Sequence, residues 1–477
     1  MNFTQLVFEQ NHLNRNALIY NSQSVSYKTI LENTKKYYSF LKKEKISHKD
    51  NVLIHLPDSP GFICLILSCW AIGAKTCHPN LFVHGNNMNN LINLLDPKII
   101  ITNKENSFKF LNVTNKVILF EDIATSYFKQ EDLEFHNYDS EEVLWYPLSS
   151  GTTGESKCIK QTLTNVIEWT RAWINETKWD RNDIIWVTGK LQFNYSFVLS
   201  FLTNFIAGSC SVITKTIPSP TAVEETFNKF KVNHFYTIPS FVDLLVNYPK
   251  KINFNQCKVL QVSGDYFPEF LSKKFQQVYQ KKIHNVIGCA DVFHNYTNNE
   301  DTASHRHCGK PIEGVTIQIK NDMGEICKIG EIGEIFVKAK FLGKGYLNDY
   351  NSSEVFNDGF VKTNDLGHLD ENNNLYFSDR KNNIFKINSL FVSPVEIEDK
   401  ILQYPGIKDC QITVVKKSKR VSQLVASVVS LSDITVLDLK RYLKNNLESY
   451  KIPKKFYFVD KIPKTWNGKK LRILTKN

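Results

Sequence analysis

The segment Ser149-Ser150-Gly151-Thr152-Thr153-Gly154-Glu155-Ser156-Lys157 has the composition of a loop that binds phosphate. Two glycines permit a tight turn that exposes backbone N–H groups, the hydroxyls add hydrogen bonds, and Lys157 supplies positive charge. The segment follows the apolar run Val143–Leu148, which places it after a strand. Its spacing differs from GxxxxGK[ST], so it is not a Walker loop. On composition alone, a solvated surface turn is the alternative.

Six further segments that carry glycines and charged side chains follow downstream. They are Gly264-Asp265, Gly288-Cys289-Ala290-Asp291, Gly330-Glu331-Ile332-Gly333-Glu334-Ile335, Thr363-Asn364-Asp365, Asp379-Arg380-Lys381-Asn382 and Pro463-Lys464-Thr465-Trp466-Asn467-Gly468-Lys469. Together with SSGTTGESK, and in this order, they resemble the motifs of adenylate-forming enzymes, which include acyl-CoA and aryl-CoA synthetases, peptide-synthetase adenylation domains and luciferases. One such motif would be weak evidence, whereas seven in family order across nearly the whole chain are specific.

The resemblance implies roles in ATP binding for several residues. Those that would hold the β- and γ-phosphates are Ser149, Ser150, Gly151, Thr152, Thr153, Gly154 and Lys157. Asp365 would accept hydrogen bonds from both ribose hydroxyls, and Arg380 would add charge near the ribose and phosphate. Asp291 would face a magnesium ion. Lys469 would contact both the acid and the α-phosphate, where preorganised positive charge stabilises the meeting of two anions.

The family also implies a small C-terminal domain that rotates on a hinge between two half-reactions. The hinge falls at Asn382, a residue type that tolerates unusual backbone angles. Ser389 stands where the family has a glycine beside the tunnel for the pantetheine thiol, and a side chain there would narrow the tunnel. The other departures from the motifs are Ser156, Cys158, Ala290, Asn364 and Asp379. We expect these changes to affect thiol transfer more than adenylation.

Two segments indicate the kind of acid. Gly189–Tyr195 is similar to AKLFFAYG of benzoate-type CoA ligases, and Lys386–Pro394 is similar to their KVSGxWVSP, which implies an aromatic or other planar hydrophobic acid. Amino-acid-activating relatives hold the α-ammonium with an aspartate, whereas this chain has the neutral Asn194, so a free α-amino acid is disfavoured. The candidate pocket residues are Phe193, Asn194, Tyr195, Gly264, Gly288 and His294. Aromatic residues at such spacing pack in the hydrophobic core about as often as they line a binding pocket.

The motifs predict an enzyme, a ligase that uses ATP and Mg²⁺ to activate a carboxylic acid as acyl-AMP. The acyl group would then pass to a phosphopantetheine thiol, with CoA favoured, in a role typical of secondary metabolism. The nearest alternative is an adenylating ligase that loads an acyl or peptidyl carrier protein or forms an amide. A non-catalytic nucleotide-binding relative is the alternative of another class, and the retained Lys469 disfavours it.

The net charge of +11 is concentrated at one end of the chain. From Lys381 onward there are 20 lysines and arginines against eight acidic residues, whereas the preceding part is nearly neutral. Such a basic unit favours an anionic partner, such as CoA or an acidic carrier protein. The aromatic–basic interleaving of an RNA-binding module is missing from the sequence, so no nucleic-acid partner is expected.

The elements that position these residues follow from periodicity. The predicted strands are Asn51–His55, Lys98–Thr102, Lys116–Phe120, Ile184–Thr188, Cys210–Thr214 and Lys258–Ser263, and the predicted helices between them include Tyr27–Glu44, Leu163–Trp179 and Thr221–Phe230. This alternation favours stacked parallel α/β sheets. Turn-rich strands over Gly309–Tyr376 predict a small antiparallel region. We therefore predict an N-terminal α/β domain, residues 1–381, and a small mobile α+β C-terminal domain, residues 382–477.

Three further features bear on location. Gly61–Ala74 is uncharged, but about 14 residues are too few to span a bilayer, so a buried helix is predicted there. The ten cysteines have no CxxC spacing, which favours reduced thiols over a disulfide framework or zinc site. Met1–Asn21 lacks the pattern of a secretory signal. A cytoplasmic protein without a membrane partner is expected.

Overall fold

The structure is a computed structural model that describes residues 1–128, 131–150, 156–300, 306–348, 352–387, 390–416 and 422–463. Its α-helices are, in chain order, α1 (Phe3–Gln10), α2 (Tyr27–Lys43), α3 (Pro60–Ile72), α4 (Asn86–Leu95), α5 (Phe120–Thr125), α6 (Leu163–Thr177), α7 (Asn194–Ser196), α8 (Asn204–Ala207), α9 (Pro220–Lys229), α10 (Pro239–Val246), α11 (Glu269–Tyr279), α12 (Ser352–Val355), α13 (Pro394–Leu402) and α14 (Val436–Lys444).

The strands follow the same chain order. They are β1 (Asn16–Tyr20), β2 (Gln23–Ser26), β3 (Asn51–His55), β4 (Lys75–Cys77), β5 (Ile99–Thr102), β6 (Lys116–Leu119), β7 (Val143–Tyr146), β8 (Leu148–Ser150), β9 (Ser156–Cys158), β10 (Gln161–Thr162), β11 (Ile184–Val187), β12 (Cys210–Ile213), β13 (His234–Thr237), β14 (Val259–Val262), β15 (His284–Asn285), β16 (Thr297–Asn298), β17 (His307–Pro311), β18 (Thr316–Lys320), β19 (Gly333–Lys338), β20 (Phe356–Asn357), β21 (Phe360–Leu369), β22 (Leu375–Arg380), β23 (Phe385–Ile387), β24 (Leu390–Val392), β25 (Ile407–Lys416), β26 (Ser422–Ser430) and β27 (Lys455–Phe458).

Two largely parallel sheets form the main body. Their strand orders are β15-β14-β13-β11-β12-β1-β2 and β10-β7-β4-β3-β5-β6. An antiparallel sheet of order β16-β17-β22-β21-β19-β18 follows, with β20 on β21. The three-stranded sheet β25-β26-β27 lies nearer the C-terminus. The predicted α/β class, the antiparallel region and the separate α+β unit are confirmed.

Helix α3 shows how local sequence specifies an element. Ser59 caps its N-terminus by accepting from the Phe62 N–H, Pro60 occupies the first turn, and Gly73 ends it at φ 96°. All residues from Phe62 to Ala71 are buried, which confirms the predicted buried helix. Among the helices that the structure describes, none combines the length and the apolar run that a membrane crossing would need.

The hydrophobic cores separate the main body from the C-terminal unit. The largest cluster combines side chains of both parallel sheets and of the antiparallel sheet, for example Leu18, Val52 and Ile335. A different cluster, which includes Ile397, Ile412 and Leu439, packs α13 and α14 against the C-terminal sheet. A core of its own fits an independently packed unit.

Buried histidines make stability depend on pH. Burial lowers the pKa of His55 and of His78 to about 3, whereas an unfolded histidine titrates near 6.5. Between these values the unfolded chain binds more protons, so stability is present above pH 6.5 and is lost as the pH falls towards 3. We expect each residue to lower the free energy of unfolding by about 2 kcal/mol between pH 7 and pH 5.

Urea unfolding at both pH values measures this loss. His55→Phe should lose about 2 kcal/mol less than the wild type over the interval, whereas replacement of the exposed His84 should leave the loss unchanged. An equal loss in all three proteins would contradict the assignment.

Candidate active site

A β-hairpin flanks the predicted phosphate-binding segment. Strands β8 and β9 pair antiparallel, with Ser149 opposite Lys157 and Ser150 opposite Ser156. The residues between them, which include Gly151, Thr152, Thr153 and Gly154, lie outside the described residues, so their phosphate-binding roles stay predictions. The two ends of the segment, Ser149 and Lys157, therefore lie side by side on adjacent strands.

Lys157 belongs to a chain of contacts that reaches Asp291. Its ammonium lies 4.6 Å from the centroid of the Tyr346 ring, a distance typical of a cation–π contact. The Tyr346 hydroxyl donates to Asp291 Oδ1 at 2.8 Å. Backbone bonds from Lys160 N to Gly345 O and from Gly343 N to Asp291 O, both 2.9 Å, hold the three segments together. Tyr346 was missed by the sequence reasoning, and its position in the run Gly343-Lys344-Gly345-Tyr346 was the available signal.

Asp291 offers a carboxylate that suits a magnesium ion. Burial raises the pKa of Asp291, while the Tyr346 hydrogen bond and the charges of Lys157 and Arg380 oppose that rise. Mg²⁺ is usually held by one or two carboxylates together with substrate phosphates, and a single carboxylate linked through Tyr346 to Lys157 of the predicted phosphate-binding segment fits that pattern. No group of three or more potential metal ligands forms among the residues that the structure describes.

Asp365 and Arg380 face each other across strands β21 and β22. They are register partners, and Arg380 Nε lies 3.1 Å from Asp365 Oδ1. The aspartate side chain is 3% exposed and that of the arginine 50%. Asp365, Cys289 and Asp265 raise the pKa of Arg380, Asp365 most. The arginine therefore links the motif at Asp365 with the segments that begin at Gly264 and Gly288.

A bulge in β21 sets the direction of Asp365. The pairing of β19 with β21 shifts between Glu334 and Phe336, which leaves extra residues on β21 at Thr363–Asp365, and such bulges commonly re-aim side chains at active sites. Asn364 has φ 60°, the left-handed region that asparagine tolerates better than other non-glycine residues. The departure from the family's glycine is therefore compatible with the turn.

Asn364 gives a stability prediction. Asn364→Gly should stay within about 0.5 kcal/mol of the wild type because glycine adopts this conformation freely. Asn364→Val should lower the free energy of unfolding by about 1–3 kcal/mol because a β-branched residue is strained at positive φ. Chemical denaturation measures both, and a valine variant as stable as the glycine variant would contradict the argument.

Predicted pocket residues from two segments that are distant in sequence contact each other in the structure. Asn194 Nδ2 donates to the Phe293 carbonyl at 2.5 Å, and His294 Nε2 lies 3.1 Å from the Tyr195 carbonyl. The Tyr195 and His294 rings stack at 5.2 Å. Phe293, with φ 86° and ψ −59°, occupies a strained conformation of the kind found at functional sites.

Two glycines and Phe193 complete the predicted pocket set. A Cβ on Gly288 would come within 2.6 Å of the Asn295 backbone, so only glycine fits where Gly288 bridges to Asn295. Gly264 follows β14 at φ 90°, a conformation that favours glycine. Phe193 is half-buried and precedes α7. The structure thus brings Asn194, Tyr195, Gly288 and His294 together.

The segment after β22 carries the predicted hinge. Asn382 lies in a 3-10 turn, Lys381–Asn383, and Lys381 pairs with the buried Glu334 at 2.9 Å. Asp379, buried at 1% exposure, accepts from Asn383 Nδ2 at 3.2 Å and from the Ser393 hydroxyl. The hinge role stays a prediction. Ser389 and Lys469 lie outside the described residues, as does Asn388 beside Ser389.

The cysteines agree with the prediction of reduced thiols, since all ten are free. Cys289 lies beside Asp291, and burial raises the pKa of its thiol above the usual range. Such a thiol is a poor nucleophile. The Cys289 thiol is therefore uncharged at neutral pH.

Comparison with known proteins identifies the family. The family model described as AMP-binding enzyme matches residues 6–347, and that of the AMP-binding enzyme C-terminal domain matches residues 396–469. The chain belongs to the AMP-binding enzyme family, the adenylate-forming enzymes that its motifs resemble. The first match ends at residue 347 and the second begins at residue 396, and the predicted domain boundary at 381/382 falls between them.

Individual relatives are distant in sequence. The uncharacterized acyl-CoA ligase YhfT of Bacillus subtilis is 24% identical over 90% of this chain and 88% of its own length. The 2-succinylbenzoate–CoA ligase of Staphylococcus epidermidis is 22% identical over 100% and 98%. A benzoate CoA ligase structure from Burkholderia xenovorans superimposes with a TM-score of 0.88 at 19% identity, covering 98% of each chain, which shows the shared fold.

Proposed function

We propose that this enzyme activates a hydrophobic, aromatic carboxylic acid as acyl-AMP and transfers the acyl group to a phosphopantetheine thiol, with CoA favoured. The observation that carries the proposal is the pairing of Arg380 with Asp365 at 3.1 Å across neighbouring strands. The charge of the same arginine also lowers the pKa of Asp291, which burial raises, so one guanidinium acts on carboxylates from two other motifs. A site that combines carboxylate and guanidinium groups beside a phosphate-binding hairpin suits a nucleotide with its metal ion. The 2-succinylbenzoate–CoA ligase of Staphylococcus epidermidis is named for an aryl acid, which supports the acid class.

The side chains divide the work between nucleotide and acid. Asp365, held by the bulge, would accept from the ribose hydroxyls, while Arg380 stays paired with it and adds positive charge. Lys157 would hold phosphate oxygens, and Asp291 would hold Mg²⁺, which when bound neutralises phosphate charge. Lys469, on the sequence argument alone, would stabilise the charge that develops at the α-phosphate. The acid would lie against Asn194, Tyr195 and His294.

The acceptor is the least constrained part of the proposal. The basic unit after Lys381 would attract the phosphates of CoA and equally an acidic carrier protein. After adenylate formation, CoA, a holo carrier protein and a small amine are offered separately, and AMP release is followed. If AMP is released rapidly with the amine but with neither thiol, the enzyme forms an amide and the proposed thioester product is wrong.

ATP–pyrophosphate exchange across aromatic, aliphatic and amino acids tests the first half-reaction. We expect exchange with aryl acids and weak exchange with proteinogenic amino acids, because a buried α-ammonium would lack a carboxylate partner at Asn194. A proteinogenic amino acid as the best substrate would overturn the acid class. ATP binding without exchange for every acid would favour the non-catalytic nucleotide-binding alternative.

A further inference from the structure

A cavity of about 310 Å³ opens on the main body outside the candidate active site. Three connections between elements form its walls. The connection from α1 to β1 contributes Asn11, His12 and Arg15, that from α6 to β11 contributes Arg181, and that from α8 to β12 contributes Gly208. All residues that line the cavity belong to the described part of the chain, and none of them is acidic. Two guanidinium groups and an imidazole therefore share one cavity whose lining holds no carboxylate.

The sheet topology places this cavity at the edge opposite the active site. Arg15 directly precedes β1, while Arg181 and Gly208 come shortly before β11 and β12. These three strands are parallel neighbours, so their N-terminal ends lie at the same edge of the sheet. The segment that begins at Gly189 follows the C-terminal end of β11, and Gly264 follows that of the parallel strand β14. Ligands of open α/β sheets bind outside the carboxyl ends of the strands, so the cavity is a separate site.

Asn11 fixes one wall of the cavity. Its amide nitrogen donates to the Val7 carbonyl at 2.7 Å and to the Phe205 carbonyl at 2.9 Å, which ties the end of α1 to α8. Gly208 has φ 69°, and a Cβ on it would overlap Asn11 Oδ1. The close approach of the two helix ends therefore requires glycine at this position. The wall is formed before any ligand arrives.

Arg15 carries a charge that the described residues leave unpaired. Its guanidinium donates to the Arg181 carbonyl and, at 3.2 Å, to Asn182 Oδ1, which are both neutral acceptors. The side chain is half-buried. Burial raises the pKa of Cys210 to about 12 and the charge of Arg15 opposes that rise, so the guanidinium lies close to the core. A charge that is partly removed from water is costly unless an opposite charge pairs with it.

We propose that this cavity binds a phosphate group, either as free phosphate or on a small organic molecule. Arg15 and Arg181 present planar guanidinium groups, whose paired N–H donors match phosphate oxygens. The exposed His12 adds an imidazole donor beside them. Ile206 supplies an apolar surface for the organic part of such a ligand. The inference concerns a second ligand and does not depend on the proposed reaction.

Isothermal titration calorimetry with the full chain measures this binding in a buffer free of phosphate and sulfate. Inorganic phosphate, glycerol 3-phosphate and glycerol are titrated separately at one ionic strength, because salt screens exposed charges. We expect both phosphates to bind and glycerol not to bind. Tighter binding of glycerol 3-phosphate would identify an organic phosphate as the ligand, whereas equal or weaker binding of it would identify free phosphate.

Two variants assign the binding to the cavity. Arg181→Gln removes an exposed guanidinium, and Arg15→Lys keeps a positive charge but removes the planar group. Each should raise the Kd for phosphate by about tenfold, the effect of losing one charged hydrogen bond. Arg171→Gln is the matched control, because Arg171 is an exposed arginine of α6 that does not line the cavity. Its Kd for phosphate should equal that of the wild type.

The outcomes separate this cavity from phosphate binding elsewhere. Weaker binding in Arg181→Gln and Arg15→Lys, together with wild-type binding in Arg171→Gln, supports the inference. If Arg15→Lys does not fold, the exposed position of Arg181 lets Arg181→Gln decide alone. The inference is wrong if neither phosphate binds the wild type at millimolar concentration, or if Arg181→Gln retains the wild-type Kd because phosphate binds only at the candidate active site. It is equally wrong if Arg171→Gln weakens binding as much as Arg181→Gln does.

Discussion

Replacing Lys469 by alanine is expected to slow adenylate formation by about 10²–10³-fold while ATP still binds. The expectation rests on Asn467-Gly468-Lys469, which resembles the family motif for the lysine that contacts the acid and the α-phosphate. Two anions must approach each other there, and one preorganised cation offsets much of their repulsion. ATP–pyrophosphate exchange measures the rate, and equilibrium binding of ATP separates catalysis from affinity.

The neighbouring Lys470 offers a matched control. Lys470→Ala removes the same charge one residue away, so a general effect of the basic segment would appear in both variants. If ATP–pyrophosphate exchange is unchanged in Lys469→Ala, or is reduced equally in both variants, Lys469 is not the catalytic lysine.

Asp365→Ala is expected to weaken ATP binding by about 2–4 kcal/mol, because two hydrogen bonds to a charged acceptor are lost. Asp365 is buried and held opposite Arg380. The wild type should therefore bind ATP more tightly than 2′-deoxy-ATP or 3′-deoxy-ATP, and the variant should bind all three alike.

Asp365→Ala also leaves Arg380 without its ion-pair partner, and this effect has to be separated from the loss of contacts with the ribose. Arg380→Ala and the double variant complete a double-mutant cycle that isolates the pair's coupling. Asp365→Ala that keeps the wild-type preference for ATP over both deoxy analogues would show that Asp365 does not contact the ribose.

Periodicity predicted the elements well where they are buried. The predicted strand Asn51–His55 is observed with the same bounds, and the predicted helix Leu163–Trp179 is observed as Leu163–Thr177. Buried parallel strands are continuous apolar runs, and amphipathic helices repeat every 3.6 residues, so both leave a local signal. The motifs predicted that Asp291, Asp365 and Arg380 share one site, and each motif could be recognised because its residues are contiguous in sequence.

The details that the sequence could not predict depend on contacts between distant residues. Tyr346 bonds to Asp291 across 55 positions, and no local pattern reports such a pair. His294 likewise stacks on Tyr195 and bonds its carbonyl although the two residues are 99 positions apart in sequence. The roles of Lys469, Ser389 and Asn382 stay predictions.

The contact between Lys157 and the Tyr346 ring has a consequence for how readily the site accepts a polyanion. Among the described residues, Lys157 forms no ion pair with a carboxylate, and its charge rests on an aromatic face. An arriving phosphate then displaces a weak cation–π contact and water, and no charge pair between Lys157 and a described residue has to be broken first. The reorganisation energy for nucleotide entry is correspondingly small, because the ammonium lies on the ring of Tyr346, whose hydroxyl group donates to Asp291.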